Sequence, residues 1–205
     1  HNLVSLDGLA FGLCKKLKQI YIPKSLSECR YNYNLSHFTE GAFSGSGIET
    51  VEFEEEITEI PNNIFVGCFE LAQIEIPDTV TRIGSAAFLR CEKLTDIVIP
   101  DSVTEIGSSA FEECEALEHI LIPDSVTEIG ESAFRECSSL EHVELSHNLV
   151  TLGGQAFGLC EKLKQIYIPK SLSECSYNYN LTYYTEGVFS GSGIETVEFE
   201  EEITE

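Results

Sequence analysis

The chain has 205 residues, of which 35 are Asp or Glu and only 12 are Lys or Arg, so its formal net charge is −23 at pH 7. This charge argues against binding to nucleic acid and against docking on anionic membranes, because both partners need clustered cations. The sequence also has no apolar run of about 18 residues, the length that a membrane-spanning helix requires.

The chain begins at His1 in the middle of a repeat and contains no Met. We therefore expect residues 1–205 to form a single repeat domain from the interior of a longer chain. The absence of a targeting segment then carries no information about location.

A repeat of about 23 residues runs through the whole sequence. Residues 1–59 also match residues 147–205 at 50 of 59 positions, which defines a longer repeat of 146 residues. Short units of this kind bury too little apolar surface to fold alone, so they stack on one another as a solenoid. The repeat is marked by eight Phe residues spaced 32, 22, 23, 23, 23, 23 and 32 residues apart: Phe11, Phe43, Phe65, Phe88, Phe111, Phe134, Phe157 and Phe189.

Each unit begins with the pattern LxxIxIP, which predicts a short strand with one buried and one solvent-facing side. A second apolar pair follows in VTEIG, the glycine allows the backbone to turn, and Ala-Phe closes the coil with a bulky ring. The solvent-facing side of the first strand contains two variable columns. The Gln19 column comprises Gln19, Thr50, Gln73, Asp96, His119, His142, Gln165 and Thr196, and the Tyr21 column comprises Tyr21, Glu52, Glu75, Val98, Leu121, Glu144, Tyr167 and Glu198.

The first interruption of the repeat follows Cys29, where RYNYNLSHFTEG (30–41) replaces the Gly-Glu-Ser turn of a regular unit. A near-copy, SYNYNLTYYTEG (176–187), occupies the same place in the second block. Because the apolar columns resume at Ala42, we expect both inserts to project outward from the coil. Tyr together with Asn and Ser is typical of binding loops. Candidate binding residues are therefore the Tyr residues of the inserts and of the adjacent strands: Tyr31, Tyr33, Tyr177, Tyr179, Tyr183, Tyr184, Tyr21 and Tyr167.

Each insert also contains one acceptor sequence for N-glycosylation, beginning at Asn34 and at Asn180. In a eukaryotic secretory setting these asparagines are glycosylation candidates. The alternative is that each insert packs on the flank of the solenoid without a partner.

The segment GSG occurs at 45–47 and 191–193, where it precedes a strand. A phosphate-binding loop follows a strand and opens a helix, so we interpret GSG as the site where the 22-residue unit loses one residue. The acidic run at 54–56 and its copy at 200–202 lack the spacing of a calcium loop and are interpreted as a solvated surface.

The repeated pattern LxxIxIPxSVTxIGxxAFxxC resembles the BspA-like, or Treponema-type, leucine-rich repeat over essentially the whole chain. This resemblance implies a curved, right-handed solenoid of about eight units of 22 to 32 residues. A parallel β-sheet would line its concave face, with short strands and turns on the convex side. It also implies a surface-exposed or secreted protein that adheres to other proteins.

Six of the eight cysteines lie three residues after the repeated Phe and form one column, while Cys29 and Cys175 replace Ile in the second strand. Neighbouring units would place such cysteines about 5 Å apart, a distance that permits a disulfide. Their parallel side chains favour free thiols packed as small hydrophobic groups. No CxxC pair is present, so a zinc site is not expected.

His119 and His142 fall on adjacent units with several glutamates beside them. This pair is a binding candidate, either as a metal site or as a pH-sensitive patch. Ordinary surface variation is the favoured alternative, so no metal or other cofactor is expected. No GxSxG or HExxH motif is present, and we expect no enzyme.

The favoured interpretation is a non-enzymatic, extracellular or cell-surface adhesion module with a protein or glycan ligand. Self-association into an extended assembly and an intracellular interaction scaffold are the alternatives.

Overall fold

Each repeat unit contributes two short strands and a tight turn segment to a solenoid. The computed structural model describes residues 3–30, 32–33, 39–175, 178–179 and 185–200, and it describes only the backbone of 32–33, 39–40, 178–179 and 185–186. No α-helix occurs within these ranges. The expectation of a leucine-rich-repeat solenoid built from parallel strands is confirmed.

The first strand of each unit lies on the concave face. These strands pair in parallel, two by two, and equivalent residues of neighbouring units stand opposite each other, as His119 does opposite His142. The pairs are β2 (Gln19–Ile22) with β6 (Thr50–Phe53), β8 (Gln73–Glu75) with β10 (Asp96–Val98), β12 (His119–Leu121) with β14 (His142–Glu144), and β16 (Gln165–Ile168) with β20 (Thr196–Phe199).

The second strand of each unit builds the longer continuous ladder. Six parallel strands follow one another without interruption: β7 (Glu59–Ile60), β9 (Arg82–Ile83), β11 (Glu105–Ile106), β13 (Glu128–Ile129), β15 (Thr151–Leu152) and β17 (Glu174–Cys175). Before the first insert, β1 (Ser5–Leu6) pairs with β3 (Glu28–Cys29) in the same parallel sense. Each of these strands has only two residues, so the stack as a whole, and no single strand, provides the stability.

The turn segment around each Phe forms a third connection between units. The N–H groups of Ala86, Phe88 and Arg90 donate to carbonyl oxygens of the next unit, each at 2.8 Å. Ala86 and Arg90 reach this arrangement with φ angles of 52° and 61°, in the left-handed region. The intervening N–H groups close turns within their own unit, so the backbone donors of this segment are used in both directions.

The core consists of apolar columns that run the length of the solenoid. The Leu, Ile and Val columns predicted from the repeat are buried through the central units. From Phe65 to Phe157, successive Phe rings stack with centroids 5.1–5.3 Å apart and are completely buried. Each ring therefore covers the next, which explains why isolated units would not fold.

The cysteine column has a more specific role than hydrophobic packing. All eight cysteines are free thiols, and the thiols of Cys91, Cys114 and Cys137 donate to the carbonyl oxygen of the Phe in the preceding unit, at 3.2–3.3 Å. The expected packing of the thiols as small hydrophobic groups is confirmed for six cysteines and is wrong for Cys14 and Cys175, which are exposed. No described unit lies in front of Cys14, whereas its copy Cys160 is covered by the unit that contains Phe134.

Both glycines of the first GSG segment are required by the backbone. Gly45 has a φ of 66°. A Cβ atom on Gly47 would overlap the carbonyl oxygen of Lys15, one unit earlier. GSG therefore lets a unit shortened by one residue stack closely on its neighbour, which agrees with its structural interpretation.

Replacing Gly47 by Ala should lower the free energy of unfolding by about 1–3 kcal/mol, because the added methyl group has no space against a backbone carbonyl. The measurement is urea unfolding followed by far-UV circular dichroism. Gly187→Ala is the matched control, since a Cβ atom there meets no atom of the described residues within 4 Å. Equal stability of the two variants would contradict the close approach at Gly47.

Candidate functional site

The concave face presents the two variable columns to solvent, as the repeat pattern predicts. All members of the Gln19 column and of the Tyr21 column are exposed. The residues between them on the central strands, including Ile97, Ile120 and Val143, point into the core. This alternation makes the concave sheet a surface whose side chains vary while its scaffold stays constant.

The structure brings His119 and His142 together. Their rings stack with centroids 5.0 Å apart and an interplanar angle of 14°. Glu118 lies beside His119, with Oε2 3.9 Å from Nε2. Within the described residues, no group of three or more His, Cys, Asp or Glu side chains has an arrangement that could hold a metal ion.

Tyr21 and Tyr167 occupy equivalent exposed positions on β2 and β16. Beside Tyr167, an open cleft of about 780 Å³ lies between β14 and β16, and its lining includes His142, Lys162 and Lys164. The structure therefore brings one predicted Tyr and one predicted His to the same cleft.

The two ends of each insert pair with each other as the strands of a short antiparallel hairpin. In the first insert β4 (Asn32–Tyr33) pairs with β5 (Thr39–Glu40), and in the second β18 (Asn178–Tyr179) pairs with β19 (Thr185–Glu186). The hairpin leaves the solenoid between Cys29 and Ala42, both of which are buried, so the first insert does not open the core. The backbones of Tyr33 and Tyr179 belong to these strands. The remaining candidates of the inserts lie outside the described residues: Tyr31, Asn34, Tyr177, Asn180, Tyr183 and Tyr184.

Cations of the chain mostly connect neighbouring units. Lys18 pairs with Glu49, Lys93 with Glu70 and Lys164 with Glu195, each across one repeat. These pairs are exposed, so each contributes little to stability by itself. Because the chain has 35 Asp and Glu residues and only 12 Lys and Arg residues, most of its carboxylates have no Lys or Arg available for an ion pair.

Asp124 and His147 form an ion pair beside the central concave strands that the sequence did not indicate. His147 Nδ1 lies 3.0 Å from Asp124 Oδ1, and the His147 backbone N–H donates to the same oxygen at 2.8 Å. The side-chain hydrogen bond to Asp124 raises the pKa of His147. The backbone and side-chain hydrogen bonds from His147 lower the pKa of Asp124.

Replacing Asp124 by Asn should return the pKa of His147 toward its ordinary value of about 6.5. A raised His pKa means that the pair stabilises the fold at low pH and that this contribution is lost as pH rises through the His147 pKa. The lowered Asp pKa sets the acid limit, because the contribution is lost as pH falls through the Asp124 pKa. NMR titration of the imidazole measures the shift, and Asp101→Asn is the control. An unchanged His147 titration in Asp124→Asn would exclude the pair.

Val98 and Leu121 were not selected from the sequence, although both are strongly exposed on the concave face. They are 74% and 57% exposed, in a column otherwise composed of Glu and Tyr. The sequence does contain a signal for them, because both replace the Glu or Tyr found elsewhere in the column. An aliphatic side chain on the solvent-facing side of a strand has no role in the core.

No helix capable of spanning a membrane is found in the part of the chain that the structure describes.

The chain is similar to known leucine-rich repeat proteins in sequence and in structure. The family model for the BspA type leucine-rich repeat region, in six copies, matches residues 1–75 and 58–180. No curated protein matches the sequence.

Several solved structures are similar to the chain. The pneumococcal vaccine antigen PcpA is 21% identical, with a TM-score of 0.61 over 90% of this chain and 40% of that one. A leucine-rich repeat protein from Bacteroides ovatus is 28% identical, with a TM-score of 0.50 over 90% and 46% of the two chains. The T. pallidum leucine-rich repeat protein is 26% identical, with a TM-score of 0.49 over 96% and 66%. The chain thus spans 40–66% of the lengths of these structures. With its repeat matched over most of its length, the chain belongs to the BspA-type leucine-rich repeat family.

Proposed function

We propose that this chain is a non-enzymatic adhesion segment of a surface-exposed or secreted protein, and that its two inserts contact a protein or glycan ligand. The observation that carries the proposal is the form of the inserts. Two nearly identical hairpins, 146 residues apart in sequence, leave a regular solenoid, and the first does so without opening the core. Loops on a rigid scaffold are the usual carriers of binding function.

The composition of the inserts supports recognition over passive packing. Tyr offers a large contact area with few rotatable bonds, and Asn and Ser add adaptable hydrogen bonds. The motif Tyr-Asn-Tyr-Asn-Leu is identical in both inserts. Candidate contacts are Tyr31, Tyr33, Tyr177, Tyr179, Tyr183 and Tyr184, with Asn34 and Asn180 as possible sites of glycosylation.

The spacing of the inserts supports binding at two points. Six units of about 5 Å separate them, so successive hairpins stand roughly 30 Å apart along the solenoid. Two weak contacts held at a fixed distance bind a repetitive surface far more strongly than one.

The test replaces both inserts, 30–41 and 176–187, by the Gly-Glu-Ser turn of residues 130–132. Binding to immobilised laminin, collagen and mucin is measured by surface plasmon resonance, and the sedimentation velocity of wild type and variant is compared. Adhesion predicts that the variant stays the same size and loses binding. A variant that binds as the wild type does would refute the proposal, and a changed oligomer distribution would favour the alternative, self-association into an extended assembly.

A further inference from the structure

The centre of the concave face combines exposed apolar side chains with carboxylates that, apart from Asp124, form no ion pair within the described residues. Val98 and Leu121 lie on β10 and β12, at the middle of the series of concave strands. Val98 lines an open cleft of about 550 Å³ and Leu121 lines another of about 520 Å³. Neither cleft contains a Lys or Arg among its described lining residues. Together they contain six carboxylates: Glu75, Asp78, Asp96, Asp101, Asp124 and Glu144.

These carboxylates differ from the acidic residues elsewhere on the solenoid. Of the six, only Asp124 forms an ion pair within the described residues, and its partner is His147. By contrast, Glu49, Glu70 and Glu195 are each paired with a Lys of a neighbouring unit. Most of the negative charge at the centre of the concave face is therefore not balanced by ion pairs among the described residues.

We propose that this central concave surface binds an extended, basic segment of a partner protein. Apolar side chains of the segment would cover Val98 and Leu121, and its Lys or Arg side chains would reach the six carboxylates. The charge excludes an anionic partner, and the exposed aliphatic side chains favour a segment that alternates basic and apolar residues. This inference names a partner class for the proposed binding function, and it concerns a surface separate from the inserts.

The test uses a nine-residue peptide of alternating Lys and Leu as the probe and a peptide of alternating Glu and Leu as its control. Affinity is measured by fluorescence anisotropy at pH 7.5 and 150 mM salt. The double variant Val98→Ser, Leu121→Ser should bind the basic peptide at least ten-fold more weakly than the wild type. Val150→Ser is the matched control, because Val150 is an exposed valine outside the concave strands and should leave affinity unchanged.

No binding of the basic peptide by the wild type, or equal binding by the double variant Val98→Ser, Leu121→Ser, would overturn the inference.

The insert-replaced protein separates this inference from the proposed function. It should bind the basic peptide as the wild type does, because its concave centre is unchanged. If it retains peptide binding and also retains binding to the matrix proteins, the role of the inserts fails while the concave site stands. If the peptide binds nowhere but matrix binding depends on the inserts, the concave site fails alone.

Discussion

Replacing Phe111 by Ala is expected to lower the free energy of unfolding by about 3–5 kcal/mol. The Phe111 ring is completely buried between Phe88 and Phe134, with centroids 5.1 and 5.2 Å away. Its removal leaves a cavity in the middle of the stack and deprives two neighbouring units of contacts at once. Urea unfolding followed by far-UV circular dichroism measures the loss.

Phe11→Ala is the matched control within the same column. Phe11 is 43% exposed and stacks on Phe43 at 5.3 Å. We therefore expect less than half the loss found for Phe111→Ala. Similar losses at the two positions would contradict a stack whose stability comes from covering each ring on both sides.

The second large effect concerns the accessibility of the thiols. Cys14 and Cys175 should react rapidly with a thiol reagent at pH 8, whereas the buried cysteines should react roughly 10³-fold more slowly. Burial raises the pKa of Cys29, Cys68 and Cys160 to about 12, so almost no reactive thiolate forms at these three positions in the folded protein. The rates are followed with Ellman's reagent, and the modified sites are identified by mass spectrometry.

Unfolding in guanidinium chloride provides the control for this labelling. All eight cysteines should then react, because the structure contains eight free thiols. Fewer than eight reactive thiols in the unfolded chain would reveal a disulfide. Rapid reaction of Cys91 or Cys114 in the folded protein would contradict the buried column.

Much of the solenoid could be predicted because every unit repeats the same pattern of apolar residues and turn residues. The units that contain Phe88, Phe111 and Phe134 have the same residue types at a spacing of 23 residues, and stacking of the units explains that regularity. The exposure of the Gln19 and Tyr21 columns followed from strand alternation in the same way.

Other features depend on geometry that the repeat pattern does not encode. Nothing in the sequence of the cysteine column specifies that the Cys114 thiol reaches the carbonyl oxygen of Phe88, because the distance depends on how neighbouring turns stack. The left-handed φ of Arg90 is occupied by a residue type that rarely adopts it, so composition gives no signal. Asp124 and His147 occupy equivalent positions of neighbouring units, 23 residues apart, and the pair forms because His147 replaces the Asp found at this position in the two preceding units.

The candidate site was predicted only in part. The positions of the inserts followed from alignment of the units, but their hairpin pairing did not, since each paired strand has only two residues. Val98 and Leu121 differ from the Glu and Tyr residues of their column, but aliphatic residues are so frequent in the repeat that this difference is a weak signal in the sequence.

If the two hairpins act together in binding, their joint effect appears in the dissociation rate of the protein from an immobilised matrix protein. Four proteins are compared: wild type, each single replacement of 30–41 or 176–187 by Gly-Glu-Ser, and the double replacement. Each single replacement should dissociate at least ten-fold faster than the wild type, and the double replacement should not bind. A double replacement that dissociates as slowly as the wild type would contradict a role of the two hairpins in binding.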